Sequence, residues 1–202
     1  HPDSSPKERE TQICMNDYKY VDLILGKQCQ TKMGRGGIRP LEFKTFSKEM
    51  QNAITNYCQA GGNFFVSGAY VASDLWDNRL VKANEEDKKF AMEVLKYKWR
   101  VGQAARNGKV KSVASPFPEI TGSYTYYQDL NPESYVVESP DALEPAAQGA
   151  FTILRYSENN LSAGIAYKGN YKTCVLGFPF EAIRTVTERE LLMKAILTFF
   201  EH

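Results

Sequence analysis

The stretch GGNFFVSGAYVASDLWD, Gly61 to Asp77, decides the fold. Two glycines close whatever precedes them, residues 63–67 form a short apolar run of strand type, and Ser67-Gly68-Ala69 makes a tight corner. A helix is expected over residues 71–80. Strand, glycine corner and helix in that order make the junction on which α/β proteins mount ligands and nucleophiles.

Working outward, Tyr20 to Gly26 (YVDLILG) is a nearly continuous apolar run ending in glycine, the pattern of a strand covered on both faces of a parallel sheet. A glycine-rich loop, Thr31 to Gly37, follows. Ser47 reads as the N-cap of a helix carrying Met50, Ile54 and Tyr57 on one stripe, with Gly61 and Gly62 ending it. Residues 84–97 form a further amphipathic helix, with Phe90, Val94 and Tyr97 facing inward. Strand, helix, strand, helix predicts a right-handed βαβ arrangement.

Beyond Trp99 the period changes to two. Asn107-Gly108 predicts a hairpin between residues 101–105 and 109–113. Residues 151–156, 161–167 and 173–178 read as a three-stranded meander with turns at 158–160 and 169–170. Thr187 and Glu190 form a capping box ahead of a last helix buried through Leu191, Leu192, Ala195, Ile196 and Phe199. The expected architecture is α/β: a three-layer, doubly wound, mostly parallel sheet, with an antiparallel hairpin and meander in the second half. Residues 1–17, polar and proline-containing, read as a linker or disordered terminus, and residues 18–202 as one domain. The first strand arrives without the βα unit that usually opens such a sheet, so the piece is expected to lack it.

Bulk properties narrow the chemistry. Lys plus Arg number 25 against 24 Asp plus Glu, a net charge of +1, so no overall field selects nucleic acid or an anionic membrane. No run of about 18 apolar residues is present to span a bilayer, and no leader opens the chain. Cys14, Cys29, Cys58 and Cys174 are scattered and form no C-x-x-C pair, so incidental or buried thiols are expected, with neither metal nor cofactor. Histidine occurs only at His1 and His202, which removes the commonest general base from the folded body.

YVDLILG, NYCQAGGNFFVSGAYVASDL, KTCVLGFPFEAI and RELLMKAILTFF together resemble the class I glutamine amidotransferase-like, flavodoxin-like domains. More narrowly, they are similar to the C-terminal domains of secreted Bacteroidetes proteins labelled xanthan lyase. That resemblance implies a secreted, periplasmic or cell-surface location, polysaccharide as a partner, and further domains in the same chain. It also implies a lost active site. Val66 stands where such enzymes carry a corner cysteine, and Gly177-Phe178-Pro179-Phe180-Glu181 keeps a proline and a glutamate without the histidine between strand and helix.

Several residues are candidates. Ser67 is the sharpest nucleophile, since a serine on a strained elbow exposes its hydroxyl; the alternative is a small residue fitting a tight turn. Its activation would fall to Lys27, a carboxylate such as Glu181, or another unusual base, and Glu181 has capping of the segment after the last strand or a salt bridge to Arg184 as its other uses. Lys27, Arg35, Ser67, Gly68, Tyr70, Asp74 and Trp76 are candidate ligand contacts at the carboxyl end of the strands, Trp76 by stacking on a sugar ring and Arg35 by binding an anion. Tyr126 and Tyr127, in a cluster with Tyr124 and Tyr135, would serve a lyase acting on acidic glycan, with Lys109, Lys111 or Arg106 nearby. Such tyrosines are also good strand residues. The leading expectation is a non-catalytic module of an exported protein, structural or carbohydrate-associated. A lyase or hydrolase on acidic glycan, and a serine hydrolase built on Ser67, are the alternatives.

Overall fold

The computed structural model describes residues 14–29, 31–32, 41–42, 44–76 and 83–202. In chain order its elements are a 3₁₀ turn at Met15–Asp17, β1 (Tyr20–Gly26), β2 (Thr31–Lys32), β3 (Leu41–Glu42), α1 (Lys48–Gln59), β4 (Asn63–Gly68), α2 (Ser73–Trp76) and α3 (Glu85–Lys89). A π-helix at Phe90–Leu95 leads into β5 (Tyr97–Val101), β6 (Lys109–Ser112), β7 (Ser123–Thr125), β8 (Ala142–Pro145), β9 (Ala150–Tyr156), β10 (Ser162–Lys168) and β11 (Lys172–Leu176). A 3₁₀ turn, Phe180–Ala182, and α4 (Val186–Glu201) complete it.

Seven strands form one sheet in the order β1-β4-β11-β10-β9-β6-β7, with β2-β3 and β5-β8 as separate antiparallel pairs. Among the described residues, only β1/β4 and β4/β11 are parallel. The pairings β11/β10, β10/β9, β9/β6 and β6/β7 are antiparallel. The expected mostly parallel, doubly wound, three-layer sandwich is therefore corrected to a mixed, curled sheet. The physical reason lies in the connections: β9 to β11 are joined by short turns that force antiparallel neighbours, and only the long connections, through α1 from β1 to β4 and through the intervening chain from β4 to β11, permit parallel ones. Register shifts beside Gly164 add to the curl, where a Cβ would come 2.9 Å from Leu176 Cδ2.

Period-two alternation sorts β4 onto both faces of the sheet. Phe64 and Val66 join a cluster with Ile54, Tyr57 and Cys58 of α1, Leu75 of α2, and Phe90, Val94 and Leu95 of the π-helix. Phe65 joins the opposite cluster with Leu192, Ala195, Ile196, Phe199 and Phe200 of α4 and with Phe117 and Ile120. Each large apolar side chain removed from water in these clusters contributes roughly 1.5–3 kcal/mol, so the two cores carry the fold.

Several local expectations match. Ser47 Oγ accepts the Met50 N–H at 3.2 Å as the N-cap of α1, and Gly61, at φ +91°, ends it in a conformation open to glycine. Others are corrected. β1 is an edge strand: Val21, Leu23 and Leu25 pack inward, but Asp22 and Ile24 are exposed. The Asn107-Gly108 turn forms, with Gly108 at φ +61°, yet it joins no hairpin. Ala104 and Ala105 dive into the core, Ala104 N–H donates to Pro140 O at 2.8 Å, β5 pairs with β8, and β6 pairs with β7 and β9.

The helix expected over 84–97 splits into α3 and the π-helix, which Lys96 ends at φ 67°, and Tyr97 belongs to β5. The cap of α4 sits two residues earlier than expected. Thr185 Oγ1 accepts the Glu188 N–H at 3.1 Å, because buried Ile183 and the Arg184 N–H bond to Thr125 O fix the chain entering the helix. Leu191 is left on its exposed side. Met15 packs against the core, upstream of the boundary expected at 18. Arg35, the loop over residues 33–37, the helix end beyond residue 76 and the linker over residues 1–13 lie outside the described residues. Among the described residues no helix is long and apolar enough to cross a membrane.

Candidate functional site

The carboxyl ends of β1 and β4 meet the segment 133–141 and the turn at Phe180–Ala182, which is where open sheets with parallel strands place ligands. β4 does run through Ser67-Gly68 toward a helix, as expected. A Cβ on Gly68 would lie 2.9 Å from Leu25 Cβ and 3.3 Å from Gly26 O, so glycine allows the corner to close on β1. Ala69 N–H donates to Gly26 O at 2.9 Å and ties the two strand ends together.

The elbow is neither strained nor open. Ser67 is fully buried, and its hydroxyl accepts the Phe180 N–H at 3.2 Å. Described non-glycine residues with positive φ occur only at Lys96, Gln103 and Asn160, far from the corner in sequence. The exposed nucleophile expected of Ser67 is corrected to a clamp between β4 and the segment after β11. Glu181 does not reach it: its Oε1 accepts a 2.5 Å hydrogen bond from Tyr135 Oη, and Arg184 pairs instead with Asp129.

Around this corner the structure gathers a polar group. Lys27 Nζ sits 2.5 Å from Glu138 Oε2 and 5.7 Å from the centre of the Tyr135 ring. Burial first, then the Glu181 bond and charge, push the Tyr135 phenol upward, so it keeps its proton and acts as a donor. Asp22, on the exposed side of β1, has its carboxyl raised by partial burial and then by the Glu181 charge. Tyr70, half-buried, has its phenol raised by burial, while a hydrogen bond with Ser139 opposes the rise. Three carboxylates against one ammonium make this corner anionic.

Other candidates hold the fold. Asp74 is buried and accepts the Thr45 and Phe46 N–H groups at 3.4 and 3.3 Å, which orders the approach to α1. Trp76 packs against the α1-side core. Tyr126 is fully buried and stacks on Phe178 at 4.9 Å; burial drives its phenol well up. Tyr127 donates to Glu133, with Arg184 5.0 Å over its ring. Neither tyrosine presents a free hydroxyl to a substrate.

The residue that organises the corner was missed. Asp141 is completely buried; its Oδ2 accepts the Ala72 and Ser73 N–H groups at 2.8 Å each and the Ser73 hydroxyl at 3.1 Å, capping α2 from a distant loop. Its backbone N–H donates to Gly177 O at 2.7 Å, and Tyr156 Oη donates to its carbonyl at 2.7 Å. Burial pushes its carboxyl up to about 7 against the pull of these donors. The only sequence cue was the turn-type Ser139-Pro140-Asp141, which does not say what it caps.

No protein-family model matches the chain, and no curated protein matches it. Among solved structures, the beta-galactosidase from Rahnella sp. R3 is similar at TM-score 0.55 and 12% identity over 94% of this chain, which spans 24% of that chain's length. The mmIFT52 N-terminal domain is similar at TM-score 0.41 and 14% identity, over 77% of this chain and 72% of that one. The likeness to the galactosidase shows a shared fold alone. The resemblance to amidotransferase-like, flavodoxin-like domains is corrected: the mixed sheet lacks their parallel sandwich, and the fold is shared instead with part of the galactosidase.

Proposed function

We propose that this domain is a non-catalytic structural module within a longer, exported, carbohydrate-handling protein. One observation carries the non-catalytic part: the corner serine is sealed inside the sheet and spends its hydroxyl on the Phe180 amide. A buried oxygen bonded to backbone, with no imidazole within the folded body to activate it, does not attack a substrate. Of the tyrosines that a lyase would use, Tyr126 is sealed in the core with its ring stacked on Phe178, and Tyr127 gives its hydroxyl to Glu133. The anionic corner also opposes uronate-bearing substrates, since Asp22, Glu138 and Glu181 outnumber Lys27.

The test is to incubate the folded chain with acidic glycans and, separately, with a fluorophosphonate probe. Neither unsaturated uronate absorbance nor serine labelling is expected. Labelling that Ser67→Ala abolishes, or uronate release that Tyr126→Phe or Tyr127→Phe abolishes, would overturn the proposal.

A further inference from the structure

Away from the corner, α1 and the α3/π-helix run side by side with a groove of about 740 Å³ between them. Its walls are two helical stripes: Lys48, Asn52, Thr55 and Gln59 on α1, and Glu86, Lys89 and Glu93 opposite. The edges of Phe90 and Val94 form the floor. One end is shut by Lys48, which bridges Glu86 at 3.1 Å and Asp87 at 3.4 Å.

The groove is preformed by an unusual backbone. A six-residue π-helix, a form found mostly as single turns and often at functional sites, builds one wall. Tyr171 Oη donates to Glu93 O at 3.2 Å and Val94 O at 2.8 Å, and Thr173 Oγ1 to Leu95 O at 3.5 Å, so the β10–β11 hairpin satisfies its last carbonyls. The wall is thereby fixed to the sheet.

The chemistry of the lining selects a ligand. Two lysines offset two glutamates, so the groove attracts neither an anion nor a cation over a neutral molecule. Amide side chains both donate and accept, as sugar hydroxyls do. Asn52 to Gln59 covers about 10 Å at 1.5 Å per residue, the length of a short oligosaccharide. With Phe90 6% and Val94 9% exposed, the floor offers no pocket for the side-chain anchors from which a bound peptide draws affinity. We propose that the groove between α1 and the π-helix binds a neutral oligosaccharide; this rests on the carbohydrate-handling reading above and assigns it a surface.

The experiment is an amide chemical-shift titration of the isotope-labelled 202-residue chain with cellotetraose, a β-1,4-galactotetraose, oligogalacturonate and a Gly-Ser peptide. One of the neutral tetrasaccharides is expected to shift amides in 48–59 and 86–95 with Kd of about 1 mM. Gln59→Ala and Glu93→Ala, both at exposed positions, should each weaken binding about tenfold, by loss of a hydrogen-bonding side chain, with thermal midpoints unchanged. Shifts confined to residues around Lys27 and Tyr135 would overturn the location while leaving carbohydrate handling intact. Oligogalacturonate or peptide binding in the groove as tightly would overturn the ligand class. No shift with any sugar would overturn both.

Discussion

Replacing Asp141 by Asn tests whether a buried, protonated carboxyl governs the stability of the corner. Its side chain is fully buried, with three donors on Oδ2 and no hydrogen-bond partner for Oδ1 among the described residues. In the folded state it titrates at about 7 against an ordinary 3.8, so at 1.36 kcal/mol per pH unit the difference has a ceiling of about 4 kcal/mol. Between those two values the folded chain holds a proton that the unfolded chain has lost. Stability therefore falls as pH rises from about 4 to about 7, then levels off. Carboxyls held low in the folded state, such as Glu138 beside Lys27, act in the opposite sense below that window and are common to both proteins.

Urea unfolding of wild type and Asp141→Asn at pH 4.5, 6 and 8 isolates the Asp141 contribution as a difference. The variant should lack the Asp141 share of the decline, while the share from other raised carboxyls such as Asp22 persists in both, so that wild type loses up to about 3 kcal/mol relative to it across the series. A difference that stays constant within about 0.5 kcal/mol at all three pH values would refute the protonated-carboxyl argument.

Ser67→Ala should destabilise by about 1–3 kcal/mol, because the Phe180 N–H loses its acceptor inside the core; denaturant midpoints measure it. Gly177→Ala should be worse, since a Cβ there runs into the Asp141 carbonyl oxygen, and a loss of about 3 kcal/mol or failure to fold is expected, followed by thermal unfolding. Tyr171→Phe should cost about 1 kcal/mol and raise hydrogen exchange of amides in 90–95, since the hydroxyl holds the end of the π-helix. Cys58 and Cys174 are buried, with the Cys58 thiol pushed up to about 12 by burial, so neither should react with a thiol reagent until the chain unfolds.

What could be read from the chain tracks how local each cause is. The Ser47 cap, the run at 63–67 and the turns at 158–160 and 169–170 are decided by neighbours, and they appear where expected. The Asn107-Gly108 turn was legible too, but its consequence was not, because Pro140 and Gly177 decide where β5 and β8 go. The parallel character was overestimated from a single βαβ unit, while the meander that follows contributes the antiparallel majority. At the corner, Lys27, Ser67 and Glu181 were named as parts of one site, yet side-chain commitment was invisible: Lys27 pairs with Glu138, Glu181 with Tyr135, and Ser67 with the Phe180 amide. Nothing in the residues around Ser67 says that an amide 113 positions later uses its hydroxyl.

That separation has a kinetic consequence. β4 finds one parallel neighbour early in the chain and the other more than a hundred residues on, so the central ladder closes only after nearly all of the polypeptide is available. Such a topology folds slowly for its size, and neither half, expressed alone, possesses a complete sheet interior. Fragments divided between β5 and β6 should recover native structure only when mixed, with a rate that rises with concentration.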